Sequence, residues 1–119
     1  MILLYEIDKL PGWPALQTAI AMKQETYRLV QPNEYHLTLG QLAAGEKTGP
    51  GLPPAPLTEP MMIFCGMDQD ELTEFLALNR RLGGPQVALK AMLTPTNRTW
   101  STKQLFEELK DEHAYFQKR

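Results

Sequence analysis

Met61-Met-Ile-Phe-Cys-Gly-Met-Asp-Gln-Asp-Glu71 reads as an unbroken apolar strand, a glycine and the opening of a helix. Five apolar side chains in succession, Met61 to Cys65, have no polar face to offer water, so this strand belongs at the centre of a sheet covered on both sides. Asp68 with Glu71 three residues on is a helix start capped by a carboxylate. Leu72, Phe75, Leu76, Asn79 and Leu82 follow at helical spacing, and Gly83-Gly84-Pro85 ends the helix. Val87, Leu89, Ala91 and Leu93 then alternate with Ala88, Lys90 and Met92. That strand has a more polar face carrying a lysine, as sheet edges do.

The chain before it has the same order. Met1 to Ile7 is nearly continuous apolar and reads as a second central strand. Leu10-Pro-Gly12 turns the chain, Pro14 suits a first helical turn, and Leu16, Ala19, Ile20 and Lys23 mark a short helix. Thr26 to Val30 contains Arg28 and stops before Pro32, which predicts an edge strand. Tyr35 and His36 lead to Thr38-Leu-Gly-Gln41, a capping box opening a brief helix that ends by Gly45. At an offset of 63, Val30-Gln-Pro32 lies over Leu93-Thr-Pro95, Leu37-Thr38 over Trp100-Ser101, and Gln41-Leu42 over Gln104-Leu105.

These readings predict an α/β protein made of two strand–helix–strand–helix repeats. Each strand–helix–strand unit is a right-handed crossover with parallel strands. With the apolar strands central, the four-stranded mixed sheet has order 2-1-3-4, its central pair is antiparallel, and helices pack on it. A thioredoxin-like mixed sheet is the alternative. The expected organisation is one domain, 1–119, built of repeats 1–44 and 61–119. They are joined by a linker, 45–60, whose stretch from Glu46 to Pro60 holds five prolines and two glycines. Its PxxP spacings lack a basic anchor, so it reads as a connector.

Composition excludes several classes of function. The 119 residues suffice for one core. A net charge of −2 argues against a surface dominated by nucleic acid or anionic lipid. One cysteine rules out an internal disulfide and suits a reducing compartment. The apolar N-terminus meets Glu6 and Asp8 too soon to be a membrane span, so the expected location is the cytoplasm.

The densest cluster of functional residue types is Thr94-Pro-Thr-Asn-Arg-Thr-Trp-Ser101. Pro95 holds Thr94 extended, Asn97 and its threonine neighbours are turn formers, and Ser101 with Gln104 opens the last helix. Trp100 is placed to staple onto Leu105. A helix N-terminus offers free N–H groups and a favourable dipole to an anion. Thr94, Asn97, Arg98, Thr99, Trp100 and Ser101 are therefore the candidate ligand-binding residues: Arg98 as cation, Asn97 and Thr99 as donors, Trp100 as a stacking face. The competing reading makes the same residues a turn and a helix staple.

Leu93-Thr-Pro-Thr-Asn97, Trp100, Leu105, Glu108-Leu109 and Glu112-His113, with Met61-Met-Ile-Phe-Cys-Gly66 before them, resemble an uncharacterised bacterial family, domain of unknown function 3783. The resemblance covers roughly the C-terminal half. It implies a bacterial origin and no mechanism.

Elsewhere the chemistry is sparse, and no catalytic residue, metal ligand or cofactor is assigned. Cys65 ends a strand near a helix start, where thiols are activated, yet Asp68, Asp70 and Glu71 surround it with negative charge and there is no CxxC partner. His36 and His113 lack metal-ligand spacing. His113 falls on the helical stripe of Leu105, Phe106, Leu109 and Phe116, which predicts a half-buried ring. Lys103–Glu107 and Glu107–Lys110 are helix-spaced pairs.

The expected function is a small non-catalytic binding or regulatory domain, with a protein partner, a homodimer or a small anion as its ligand. A thioredoxin-like enzyme using Cys65 is the alternative. A weak nucleic-acid binder requires Arg28, Lys90, Arg98 and Lys103 to share one face.

Overall fold

The computed structural model describes residues 1–47 and 56–117. In chain order it contains β1 (Ile2–Tyr5), α1 (Trp13–Met22), β2 (Tyr27–Leu29), α2 (Leu39–Ala43), β3 (Met61–Phe64), α3 (Gln69–Arg81), β4 (Leu89–Met92) and α4 (Thr102–Gln117). Two 3₁₀ turns, Pro32–Glu34 and Asn97–Thr99, precede α2 and α4. The sheet runs β2-β1-β3-β4. β1 is parallel to β2 and β3 to β4, while β1 and β3 are antiparallel, with Leu3 opposite Ile63. This is the expected α/β sheet with the expected order.

The missing alternation in the two apolar runs has a direct cause. Every residue of β1 and β3 is at most 1% exposed, because each face of the sheet carries its own helical layer. Ile2, Leu4, Met62 and Phe64 meet Leu16, Ala19, Ile20, Phe75 and Leu78 of α1 and α3. Leu3, Tyr5, Met61 and Ile63 point the other way, onto Leu39, Leu42, Leu105 and Phe106 of α2 and α4. Each fully buried large apolar side chain contributes about 1.5–3 kcal/mol. The strands are shorter than the runs: Ile7 and Cys65 are buried beyond the strand ends.

Two glycines set the fit between α1 and α3. Gly12 caps α1 at φ 88°, and a Cβ there would stand 2.6 Å from the Gly83 carbonyl oxygen. Gly84 lies under Asn79, where a Cβ would fall 1.7 Å from Oδ1. Asn79 is buried and donates from Nδ2 to the Pro85 carbonyl at 3.1 Å. It belongs to the inner stripe because it ties the exit of α3 to the strand that follows.

The order strand, helix, strand, 3₁₀ turn, helix occurs twice, and bonds recur between corresponding residues. Val30 N–H donates to Leu4 O at 2.9 Å, and Leu93 N–H to Phe64 O at 2.8 Å. Gln31 N–H donates to Glu34 Oε1 at 3.0 Å, and Thr94 N–H to Asn97 Oδ1 at 2.8 Å. Thr38 Oγ1 accepts Gln41 N–H at 3.1 Å, and Ser101 Oγ accepts Gln104 N–H at 3.2 Å. The two cap residues also form an antiparallel bridge with each other, beside which Leu39 N–H donates to Trp100 O at 2.9 Å.

Both sheet edges are short and partly filled by side chains, which disfavours pairing with another strand. Leu29 O accepts Gln31 Nε2 at 3.4 Å, Met92 O accepts Asn97 Nδ2 at 3.0 Å, and Lys90 folds back onto Val87 O. Residues 48–55 of the linker read at 45–60 lie outside the described residues; Leu57, within them, packs against the α2–α4 layer. No helix among the described residues is long and apolar enough to cross a membrane.

Candidate functional site

The Thr94–Ser101 corner is built as a turn before it is anything else. Asn97 is buried. Its Oδ1 accepts the Thr94 N–H, its own N–H donates to Thr94 Oγ1 at 3.0 Å, and its Nδ2 reaches Met92 O. A side chain so engaged has little left for a ligand. Thr99 is exposed, with its hydroxyl donating to Thr96 O at 3.4 Å. Trp100 is half-buried in the cluster that includes Leu105, the neighbour expected for a staple. Ser101 is committed to capping α4.

The corner's polar groups do not converge on one cavity. Thr94 and Arg98 line a shallow hollow of about 280 Å³ with Gly40, Leu93 and Pro95. α2 presses close there: a Cβ on Gly40 would be 3.1 Å from the Arg98 carbonyl oxygen. Ser101 instead opens onto a larger cleft, of about 670 Å³, on the side of the first half's corresponding turn.

That cleft follows from what stands at matching positions of the two turns. The Gln31–Glu34 bond closes the first turn, and Tyr35 N–H continues it to Pro32 O at 3.2 Å. Tyr35 is then carried inward and is buried, whereas Arg98, the corresponding residue, is exposed. Tyr35, Leu57 and Phe106 line the cleft with apolar surface, and His36, Lys103, Glu107 and Lys110 complete its wall. Lys110 Nζ lies 5.5 Å from the centre of the Phe106 ring, within cation–π range. The ion pairs expected between Glu107 and the two lysines are not among those formed by the described residues. Those three side chains are exposed at the cleft.

Beneath it, Tyr5 is fully buried and its hydroxyl hydrogen-bonds Thr102 Oγ1 at 3.0 Å. Burial pushes the Tyr5 phenol well up, so it stays protonated. Tyr35, 5.8 Å from Tyr5 between ring centres, donates to Glu6 Oε1 at 3.4 Å. Burial first, then the neighbouring Glu6 charge, push the Tyr35 phenol up to about 12. Neither phenol is suited to work as a base near neutrality.

The remaining candidates are placed apart. Cys65 is buried, its thiol 3.9 Å from Ile63 O, and burial is the main reason its pKa is raised. Cys65→Ser is expected to cost about 1 kcal/mol and to leave ligand binding unchanged. Alkylation of the wild-type thiol at neutral pH should proceed only as fast as the protein opens; rapid labelling of folded protein would contradict this. His113 is exposed, not half-buried. Burial fades along α4, from Thr102 and Leu105 in the core to half-buried Leu109 and then His113. Arg28 and Lys90 stand on opposite edges of the sheet, so the four basic residues do not make one face. Among the described residues no cluster of three or more His, Cys, Asp or Glu side chains could hold a metal ion.

Sequence reasoning does not reach Tyr35, Leu57 and Phe106 as site residues, and His36 enters it only as part of the lead into the Thr38 capping box and as a histidine without metal-ligand spacing. The signal was the offset between halves, which brings the first turn against α4. No curated protein and no solved structure matches the chain. Residues 60–116, which carry β3, α3, β4, the Thr94–Ser101 corner and most of α4, match the family described as Domain of unknown function (DUF3783).

Proposed function

We propose that this chain is a non-catalytic binding or regulatory domain of the bacterial cytoplasm that takes a small anionic ligand where α4 begins. In this reading it is one domain of two units, 1–44 and 61–119, joined by 45–60, with the ligand held where the second helix of each unit starts. The observation that carries it is the cleft of about 670 Å³ opening beside Ser101, with Lys103 and Lys110 on its wall. Drug-sized ligands occupy clefts of this size, lined by apolar surface with a few polar groups. The bridge between Thr38 and Ser101 supports the same reading, since it sets two capped helix starts side by side. The dipole of α4 favours negative charge at its N-terminal end.

Titration with phosphate and simple nucleotides, followed by backbone amide shifts, tests it. Shifts are expected for residues 97–104 and for Tyr35 to Leu37 at millimolar ligand. Lys103→Ala should weaken binding at the cleft without altering the fold, while Trp100→Ala should also destabilise α4. Amides that stay unmoved by every anion would make the corner purely structural.

A further inference from the structure

The cleft's composition says more about its ligand than that it is anionic. Tyr35 and Phe106 supply its aromatic surface and Leu57 an aliphatic one, so a ligand must carry an apolar body to displace water from them. The charges beside that surface are few and mixed. Lys103, Glu107 and Lys110 stand within two turns of one face of α4. Two cations and one carboxylate sum to a single positive charge. One negative charge matches the excess of one positive charge among the side chains lining the cleft more closely than a doubly charged head group does.

Resting on the binding-domain reading above, we propose that the cleft binds a hydrophobic carboxylic acid, with its carboxylate at Lys103 and Lys110 and its alkyl or aryl body on Tyr35, Leu57 and Phe106. The carboxylate is singly charged at neutral pH, and the lysines hold it against solvent by charge-assisted hydrogen bonds. The body lies along the aromatic surface. Affinity then follows chain length: each methylene buried multiplies it by about three to four, up to the length at which the chain leaves the cleft.

The test uses the full chain and five probes: inorganic phosphate, butanoate, octanoate, octan-1-ol and octyl phosphate, each followed by amide shifts. Octanoate is expected to move Tyr35, Leu57 and Phe106 and to bind more tightly than butanoate. The double substitution Lys103→Ala/Lys110→Ala lies on exposed surface. It should weaken octanoate at least about fivefold while leaving octan-1-ol unchanged. Glu107→Gln should strengthen octyl phosphate more than octanoate. Equal binding of octan-1-ol and octanoate, or an octanoate affinity indifferent to the lysines, overturns the proposal. If inorganic phosphate moves residues 97–104 while octanoate moves nothing, this inference falls and the broader reading stands. If neither moves any amide, both fall.

Discussion

Gly84→Ala is expected to lower the unfolding free energy by about 3 kcal/mol, read as a lower urea midpoint at unchanged slope. A methyl group there would sit 1.7 Å from Asn79 Oδ1 and 2.5 Å from its Cγ, well inside any contact distance. Asn79 cannot swing away cheaply. It is 3% exposed and its Nδ2 is bonded to Pro85 O, so leaving that position strands a buried amide. The loss therefore combines overpacking with a broken buried hydrogen bond. Asn79→Ala removes the obstacle. Adding Gly84→Ala to that variant should cost under about 1 kcal/mol, giving a coupling energy of about 2 kcal/mol in a double-mutant cycle. Additive effects would show that the two residues do not meet.

Arg28→Ala should be of similar size, about 3 kcal/mol, for an electrostatic reason. The guanidinium joins three elements: Nη1 donates to Leu42 O at 2.9 Å near the end of α2, and Nη2 to Glu46 O at 2.6 Å and to the Glu34 carboxylate. Both charged side chains are largely covered, at 14% and 13% exposure. Truncating one leaves the other charge and two carbonyls without their partner.

The pH dependence separates this from simple loss of packing. Burial acts to raise the Glu34 carboxyl, but the Gln31 N–H and Arg28 outweigh it and hold the group below the usual carboxylate range. A carboxyl depressed in the folded state adds stability above its unfolded value, near 4.3, and loses it as pH falls through the folded value. The difference between wild type and Arg28→Ala should therefore narrow on acidification below about pH 4. A difference that stays constant with pH would assign the effect to packing.

The sheet was legible because burial on both faces writes itself into sequence as an apolar run with almost no polar residue, and Met61–Cys65, with none, and Met1–Ile7, with only Glu6, start the halves. Their ends were overread, since Ile7 and Cys65 stay apolar for packing after strand pairing has stopped. Arg28 and Lys90 marked the edges correctly. The 3₁₀ turn at Pro32–Glu34 was not legible, because a glutamine and a glutamate three residues apart look like any polar loop until the side chain is seen to close on the backbone. His113 was assigned to the stripe by periodicity alone, which carries no information about where a helix outruns the surface it packs on. The cleft was hidden for a related reason: Tyr35 and Phe106 are ordinary apolar residues, and only the bridge between Thr38 and Ser101 sets them side by side.

The antiparallel seam of β1 and β3 also orders events in time. During synthesis β1 emerges first, and it can pair with β2 within a few dozen residues. Its other edge has to wait until Met61–Phe64 has been made. Pairing across so long an interval gives the chain a high contact order and slows its folding relative to helical proteins of this length. Until then an apolar strand stands with one side unpaired, the condition under which nascent chains aggregate or engage chaperones. Closing the loop costs entropy that grows only with the logarithm of its length, about 0.6 kcal/mol for each doubling. Lengthening the connection between the halves should therefore change the final stability little. Its effect should fall on the refolding rate and on the yield of protein that escapes aggregation.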